Sequence, residues 1–363
     1  MGSKSVGNVA GSRAALFRAQ RLGVIGRPQP GNPHEVWGVL NPGGCLARDA
    51  RTYYLFPRLV AEGNYSRIGI ARLTCDRDDR PSGIERVGIA LEPHEQYEFS
   101  AMGGGVEDPR VTYVAAIDRY VMTYTAYVPF TPRVALAISR DLLTWHRLGT
   151  LRFAREPGID DLNDVGNKDC VVLPEIVNDP HGEPSIALLH RPTTSVEFDE
   201  CDCRVVEPPA GAEAQESIWI SYARLSDVQA DVHALAAVSG HHRVMEPRFA
   251  WETVKIGSGA PPIALSYGFF FVYHAVFDRA GTRNYCAGIA VLDRADPRKV
   301  LYRSPQPVLV PAESYEENGT VADVVFPTAL RVSADASSVD IFYGAADRVI
   351  AAARMPLPAK LPR

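Results

Sequence analysis

Cysteine is scarce in this chain, with six among 363 residues. So few in so long a chain exclude a disulfide framework. Cys45, Cys75, Cys170 and Cys286 each stand alone in or beside apolar runs and read as small buried hydrophobes. Cys201-Asp202-Cys203 is too tight for zinc spacing and has no second pair, so no metal is expected. Also missing is any run of about 20 apolar residues, the length a membrane helix needs. The first seven residues are small and polar, and Ala14-Ala15-Leu16-Phe17 is too short for the apolar core of a secretory signal, so the expected compartment is the cytoplasm. Positive charge is not in excess: 38 Lys and Arg face 43 Asp and Glu, a net charge of -5. That excludes a general attraction to nucleic acid or to an anionic membrane, and any bound anion must be met by a local cluster of cations. Finally, no segment carries a 3.6-residue apolar stripe over three turns; only residues 12–20 suggest a short helix.

What the chain does have is short runs rich in Val, Ile, Tyr and Phe, broken by Gly, Pro, Asp and Asn. Residues 53–56, 67–72, 120–127, 134–139, 171–176, 185–190, 217–223, 269–274, 287–292 and 340–343 read as strands. The runs recur as a unit. Each unit has a polar or Gly/Pro anchor, a strand, a second strand ending in polar residues, and in most cases a third. The anchors Asn41, Asp108, Asp169, Pro261 and Asp323 are spaced by 67, 61, 92 and 62 residues. The long interval holds an acidic insert at about 193–214. Five such units predict an all-β, five-bladed β-propeller over residues 41–355. Residues 1–40 are then an extension packed on the propeller, and 356–363 a tail. A β-sandwich with a second domain is the structural alternative, and self-association is left open.

In a propeller, equivalent positions of every blade face one end of a central channel, so the anchors and second-strand ends would converge. The polar residues there are Asn41, Arg58, Glu107, Asp108, Arg110, Lys168, Asp169, His190, Arg191, Lys255, His274 and Asp347. Tyr113, Tyr124, Tyr127, Tyr273 and Tyr343 are close in sequence. Carboxylates, amides and aromatic rings together suit a sugar, whose hydroxyls need hydrogen bonds and whose C–H face needs a ring. Asp108 lies in Gly105-Val106-Glu107-Asp108-Pro109-Arg110. Pro109 removes a backbone donor and is expected to keep Asp108 extended. Alone, Asp108 reads equally as a turn residue capping a strand, Lys168 and Lys255 as solvated charges, and His274 as a core histidine. Their equivalent blade positions instead suggest a phosphate site of separated cations, to which Arg58 could add. Lys255-Ile256-Gly257-Ser258-Gly259 offers an anion nest of backbone N–H groups. One carboxyl acid with a cation cluster suits phosphorolysis better than hydrolysis, which needs a second carboxylate to activate water. Hydrolysis with Glu107, Asp169 or Asp347 as base, and sugar binding without catalysis, are the other readings.

The strings GGGVEDPR, TYTAY, SRDLLTWHRLG, NKDCVVLPE, LLHRP, KIGSGAPPI, YHAV, LDRADPRKVLYRSPQPVL and VVFPTA…YGAAD, in order from about Asn41 to Ala353, resemble glycoside hydrolase family 130, the β-mannoside phosphorylases. The resemblance implies a five-bladed propeller that cleaves β-mannosidic bonds with inorganic phosphate, inverting to α-mannose 1-phosphate, without a further cofactor. It implies Asp108 as the acid, relaying its proton through the sugar's 3-hydroxyl. Lys168, Lys255 and His274 would bind phosphate. Asn41, Arg58, Asp169 and Asp347 would bind sugar, with Glu107, Arg110, His190, Arg191 and Tyr273 beside them. Glu107, where some members have Tyr, and Lys168-Asp169, where some have Arg-Asn, resemble the branch acting on mannooligosaccharides. The partners implied are a carbohydrate and phosphate only.

Overall fold

The β-branched and aromatic runs do form strands, and the chain is all-β. A computed structural model describes residues 17–99, 103–127, 131–193, 216–279 and 281–361. The chain opens with β1 (Gln20–Gly26). The first antiparallel unit is β2 (Gly38–Leu46), β3 (Tyr53–Ala61), β4 (Tyr65–Cys75) and β5 (Pro81–Leu91). The second is β6 (Gly104–Val114), β7 (Arg119–Tyr127), β8 (Arg133–Ser139) and β9 (His146–Thr150). A short β10 (Arg152–Phe153) leads to the third: β11 (Gly166–Val172), β12 (Val177–Asn178), β13 (Pro184–Thr193), β14 (Ile218–Arg224) and β15 (Ala237–Met245). The fourth is β16 (Lys255–Ser258), β17 (Ile263–Leu265), β18 (Gly268–Arg279), β19 (Thr282–Leu292) and β20 (Val300–Arg303). The last is β21 (Val325–Val332), β22 (Ser338–Ala345) and β23 (Val349–Pro356), and its outer strand is β1, antiparallel to β23.

The second strand of each unit is apolar on both faces, as in Gly268–Arg279, because both faces are covered. Phe269, Phe271, Tyr273 and Ala275 pack toward the third unit, whereas Phe270 and Val272 pack toward the fifth. The same alternation distributes the rest of the core between consecutive units. The first strands adjoin one another in turn, β2 on β6, β6 on β11 and β11 on β16, and β21 packs on both β19 and β2.

Outside these contacts a charged clamp recurs. Glu98, Glu252 and Glu316 are fully buried. Each carboxylate accepts from a tyrosine of a second strand: Tyr124 OH at 2.7 Å, Tyr273 OH at 2.6 Å and Tyr343 OH at 2.8 Å. Each also accepts from an arginine of the outer strand: Arg147 at 2.9 Å, Arg303 at 2.6 Å and Arg21 at 2.8 Å. Backbone N–H groups three and four residues upstream complete the shell, as from Arg248 at 2.7 Å and Phe249 at 3.0 Å. In the first unit Glu35 pairs with Arg86 at 2.6 Å and accepts from the Gln29 N–H at 2.8 Å and from Asn32 Nδ2 at 3.0 Å.

Several sequence expectations change. Residues 17–20 form no helix: 17–19 carry no regular structure and Gln20 opens β1, with Phe17 packed on Phe270 and Tyr302 of the fourth unit and Ala19 on the core shared by the fourth and fifth. Residues 12–16 lie outside the described residues, as do Cys201, Cys203 and all of the 193–214 insert but Thr193. Cys170 and Cys286 are buried, but Cys75 is exposed at the end of β4, where the strand leaves the core. Among the described residues no helix is long and apolar enough to cross a membrane.

Candidate active site

Three first strands carry the same irregularity. Pairing slips between Leu40 and Gly43 in β2, between Glu107 and Arg110 in β6, and between Lys168 and Val171 in β11. At each slip a bulge places Asn41, Asp108 or Asp169 at a positive φ, of 43°, 47° and 56° respectively. Asn and Asp tolerate that left-handed region better than other side chains. Asp108 is therefore not extended, as Pro109 suggested: the bulge outweighs the pre-proline preference, a local strain of the kind that gathers at functional sites.

The bulges aim these side chains into one cavity of about 180 Å³. That is smaller than the roughly 300–1,000 Å³ of sites for drug-sized ligands, and suits a small polar substrate. Of the residues singled out in the sequence, Asn41, Arg58, Glu107, Asp108, Lys168, Asp169, Arg191, Lys255, His274 and Asp347 line it. Tyr285, Val321, Val324 and Phe326 complete the wall. Sequence reading missed these four, because Val and Phe at strand ends look like core and Tyr285 lies on a third strand, where no polar anchor marks it.

One side of the cavity holds carboxylates. Asn41 Nδ2 donates to Asp108 Oδ1 at 2.8 Å, and Arg58 reaches Glu107 at 2.6 Å and Asp108 at 3.5 Å. Arg58 Nε donates to Ser66 Oγ at 2.9 Å, whose hydroxyl donates to Glu107 Oε1 at 3.2 Å. Gly344 is obligatory here, since a Cβ would fall 1.8 Å from Asn41 Oδ1. Burial raises the Glu107 pKa against the pull of Arg58, and Asp108 adds to the rise. Burial also pushes Asp347 up to about 6, with Arg58 opposing and Asp108 contributing.

The other side holds cations. Lys255, at the start of β16, is buried and lies 5.9 Å from the Tyr285 ring. Lys168 Nζ lies 5.1 Å from the Tyr127 ring. Asp169 is spent on holding cations: Arg191 Nε donates to it at 2.7 Å, His274 Nε2 lies 3.5 Å away and Arg110 3.7 Å away. Burial alone would raise its pKa; Arg191, His274 and Arg110 outweigh that and hold the carboxyl well below its ordinary range. Arg191 also pairs with Glu216. Gly257 permits this crowding, because a Cβ would stand 2.4 Å from both Asp169 Oδ2 and His274 Cε1.

His274 was expected as a cation. Burial, reinforced by Arg191, Arg110 and Lys255 against the opposing Asp169, lowers its pKa to about 3. It is therefore a neutral imidazole. The segment from Lys255 is not a nest either: β16 pairs with β18, and the Ile256 N–H donates to the Glu216 carbonyl at 3.1 Å.

Three expected residues stand behind the wall or away from it. Arg110 donates to the Asp108 carbonyl at 2.5 Å and to the Gly259 carbonyl at 2.9 Å, so it fixes the bulge from below. His190 neighbours Arg191 but faces the opposite way, between Asn167 at 3.1 Å and Ser221 at 2.7 Å. Tyr273 is fully buried in its clamp, as are Tyr124 and Tyr343 in theirs. Pro261 faces a second cavity of about 790 Å³, built with Pro262, Tyr113 and Arg331 from the far ends of the strands. In the fourth unit the position that faces the active cavity is Lys255 instead.

An all-β scaffold whose strand bulges face carboxylates against cations in one small polar cavity defines a glycan-active enzyme that also meets an anion. A family profile described as β-1,4-mannooligosaccharide phosphorylase matches residues 23–196 and 210–359, and the chain belongs to that family, glycoside hydrolase family 130. A 1,2-β-oligomannan phosphorylase of Thermoanaerobacter sp. (strain X514) is 30% identical over 253 residues, 69% of this chain and 67% of that protein. A β-1,4-mannooligosaccharide phosphorylase of Ruminococcus albus is 28% identical over 249 residues, 68% of this chain and 61% of that protein. In structure, the β-1,2-mannobiose phosphorylase of Listeria innocua, solved with β-1,2-mannobiose, superposes at a TM-score of 0.67 with 22% identity, over 94% of this chain and 96% of that one.

Proposed function

We propose that this protein is a five-bladed β-propeller phosphorylase of β-mannooligosaccharides. The blades are the five antiparallel units, over residues 41–355 together with β1, arranged around a channel with the active cavity at one mouth. Inorganic phosphate is the co-substrate. One of its oxygens forms a bond to the anomeric carbon as the carbon's bond to the glycosidic oxygen breaks. Asp108 supplies the proton that the leaving oxygen takes up, through the sugar's 3-hydroxyl. The products are α-mannose 1-phosphate and a mannooligosaccharide shortened by one unit. Lys168, Lys255 and the His274 N–H hold phosphate; Asn41, Arg58 and Asp347 hold the sugar; Asp169 keeps the arginines beside the phosphate in place. A cytoplasmic setting suits the reaction, since a charged sugar phosphate is retained behind a bilayer.

The observation that carries this reading is the division of one cavity into a carboxylate side around Asp108 and a cationic side around Lys255. Phosphate is an anion already, so it needs cations to place it and no base to activate it. The test is cleavage of β-mannobiose and longer β-mannosides with and without phosphate. Phosphate-dependent release of α-mannose 1-phosphate is expected, and free mannose released equally well without phosphate sinks the proposal. Asp108→Asn should lose about 10²–10⁴-fold in kcat, the usual contribution of a general acid. Lys255→Ala should chiefly raise the KM for phosphate.

A further inference from the structure

Exposed apolar side chains that cluster, an aromatic ring among them, mark interaction sites. Of the four tryptophans, Trp145 and Trp251 are buried, and Trp219 lies beneath the Arg243 guanidinium at 5.1 Å. Trp37 keeps 36% of its surface exposed, and Val36 beside it 51%. Its backbone is held between β3, the strand that carries Arg58, and the segment that leads into Val321. The Trp37 N–H donates to the Val60 carbonyl at 2.9 Å, and its carbonyl accepts from Thr320 Oγ1 at 3.5 Å. Thr320 precedes Val321, which lines the cavity and is 43% exposed. Gly38, the next residue after Trp37, packs so closely on the turn after β22 that a Cβ would lie 3.1 Å from the Asp347 carbonyl.

The stereochemistry of the reaction supplies a direction. In an inverting displacement the attacking phosphate and the leaving oxygen lie on opposite sides of the anomeric carbon. The side chains proposed to hold phosphate, Lys168, Lys255 and the neutral His274, come from β11, β16 and β18. The leaving group must therefore depart past Asp108, Asn41 and Asp347, on β6, on β2 and on the turn after β22. Trp37 stands where β2 begins, against that turn. We infer that Trp37 and Val321 form an acceptor-side subsite, which takes the leaving pyranose by stacking its C–H face on the indole. The ligand class is an uncharged β-linked mannosyl unit; the inference rests on the phosphorolytic reading of the cavity.

Two measurements test it on the full-length protein. In the synthetic direction, with mannose 1-phosphate as donor and β-mannobiose as acceptor, Trp37→Ala should raise the acceptor KM about three- to tenfold, the range for one aromatic contact. The KM for mannose 1-phosphate should stay unchanged, and Trp37→Phe should recover most of the loss. Independently, β-mannobiose without phosphate should change tryptophan emission in the wild type and not in Trp37→Phe. An unchanged acceptor KM in Trp37→Ala overturns the inference. So does a parallel rise of both KM values, or a loss confined to Phe99→Ala, which alters another exposed aromatic among the described residues, 48% exposed and 6.5 Å from the Tyr65 ring. If the wild type cleaves without phosphate, the functional reading fails by itself, and the emission titration still decides whether Trp37 meets sugar. If Trp37→Ala does not fold, Trp37→Phe and Trp37→Leu carry the same comparison.

Discussion

At the scale of single residues, burial sets the charge that each group carries. His274 and His190 both have pKa values lowered to about 3, the first by burial and the surrounding cations, the second by burial and His241. Unfolded histidines protonate near 6.5, so the unfolded chain binds more protons at mildly acid pH. The stability tied to these two residues is complete above pH 6.5 and is lost as pH falls toward 3. At pH 5 each accounts for about 2 kcal/mol. Asp347 works in the opposite sense: its pKa of about 6 lies above its ordinary 3.8, so its contribution is present at low pH and is lost as pH rises through 6. Urea unfolding at pH 7 and pH 5 should therefore show a steep acid loss in the wild type and a smaller one in His190→Gln. Equal losses in the two proteins contradict this account. Ten of the thirteen positions singled out in the sequence line one cavity, and the pairs Asn41-Pro42 and Asp108-Pro109 mark two of its bulges. Charge state was not legible, because it depends on neighbours from other strands.

At the scale of elements, the buried Glu–Tyr–Arg clamp joins the outer strand to its unit in the second, fourth and fifth units. In the fifth unit the arginine is Arg21, supplied by β1 from the other end of the chain. Removing one partner of a buried pair leaves an uncompensated charge, at a cost of about 3–5 kcal/mol. Arg21→Ala should lower the unfolding free energy by that much, with Glu316 stranded. Arg48→Ala breaks an exposed, solvent-screened pair with Asp118 and should leave the unfolding free energy almost unchanged. Chemical denaturation of the two variants side by side checks the contrast, and similar losses argue against the clamp. The repeat of clamps was hidden in the sequence. Its glutamates sit in like turns, each with a Pro five residues and an aromatic one residue before it (Pro93 and Tyr97, Pro247 and Trp251, Pro311 and Tyr315), but these read as loops, and the arginines lie between 49 and 295 residues away. The first-strand, second-strand, third-strand grammar was legible because each unit buries both faces of its second strand.

At the scale of the whole molecule, closure of the proposed propeller falls to β1. Without it β23 presents an unpaired edge and the Arg21–Glu316 pair is gone. A chain starting at Arg27 should melt at markedly lower temperature than the full chain and associate through the exposed edge. Calorimetry and light scattering read both effects, and an unchanged melting temperature counts against closure by β1. The sequence reading took residues 1–40 as an extension packed on the propeller. The strand Gln20–Gly26 was not visible there, because its outward face is half-exposed and three of its seven residues are Gly or Gln.

The sequence by itself determined the strand units, their order and the polar residues that open them, because strand formation and bulge chemistry are local. It also determined that cations would have to be clustered, because the net charge is negative. Only the tertiary structure decided which polar residues meet. Neighbours along a strand point to opposite faces, so Arg191 enters the cavity and His190 does not, and His274 enters while Tyr273 turns into a clamp. It likewise decided that His274 is neutral, because burial and the nearby guanidinium groups outweigh the single carboxylate beside it. Asp108 gained its place in the same way: a bulge turns it, Arg110 two residues along the same strand holds its carbonyl, and Asn41 comes to its carboxylate from another unit.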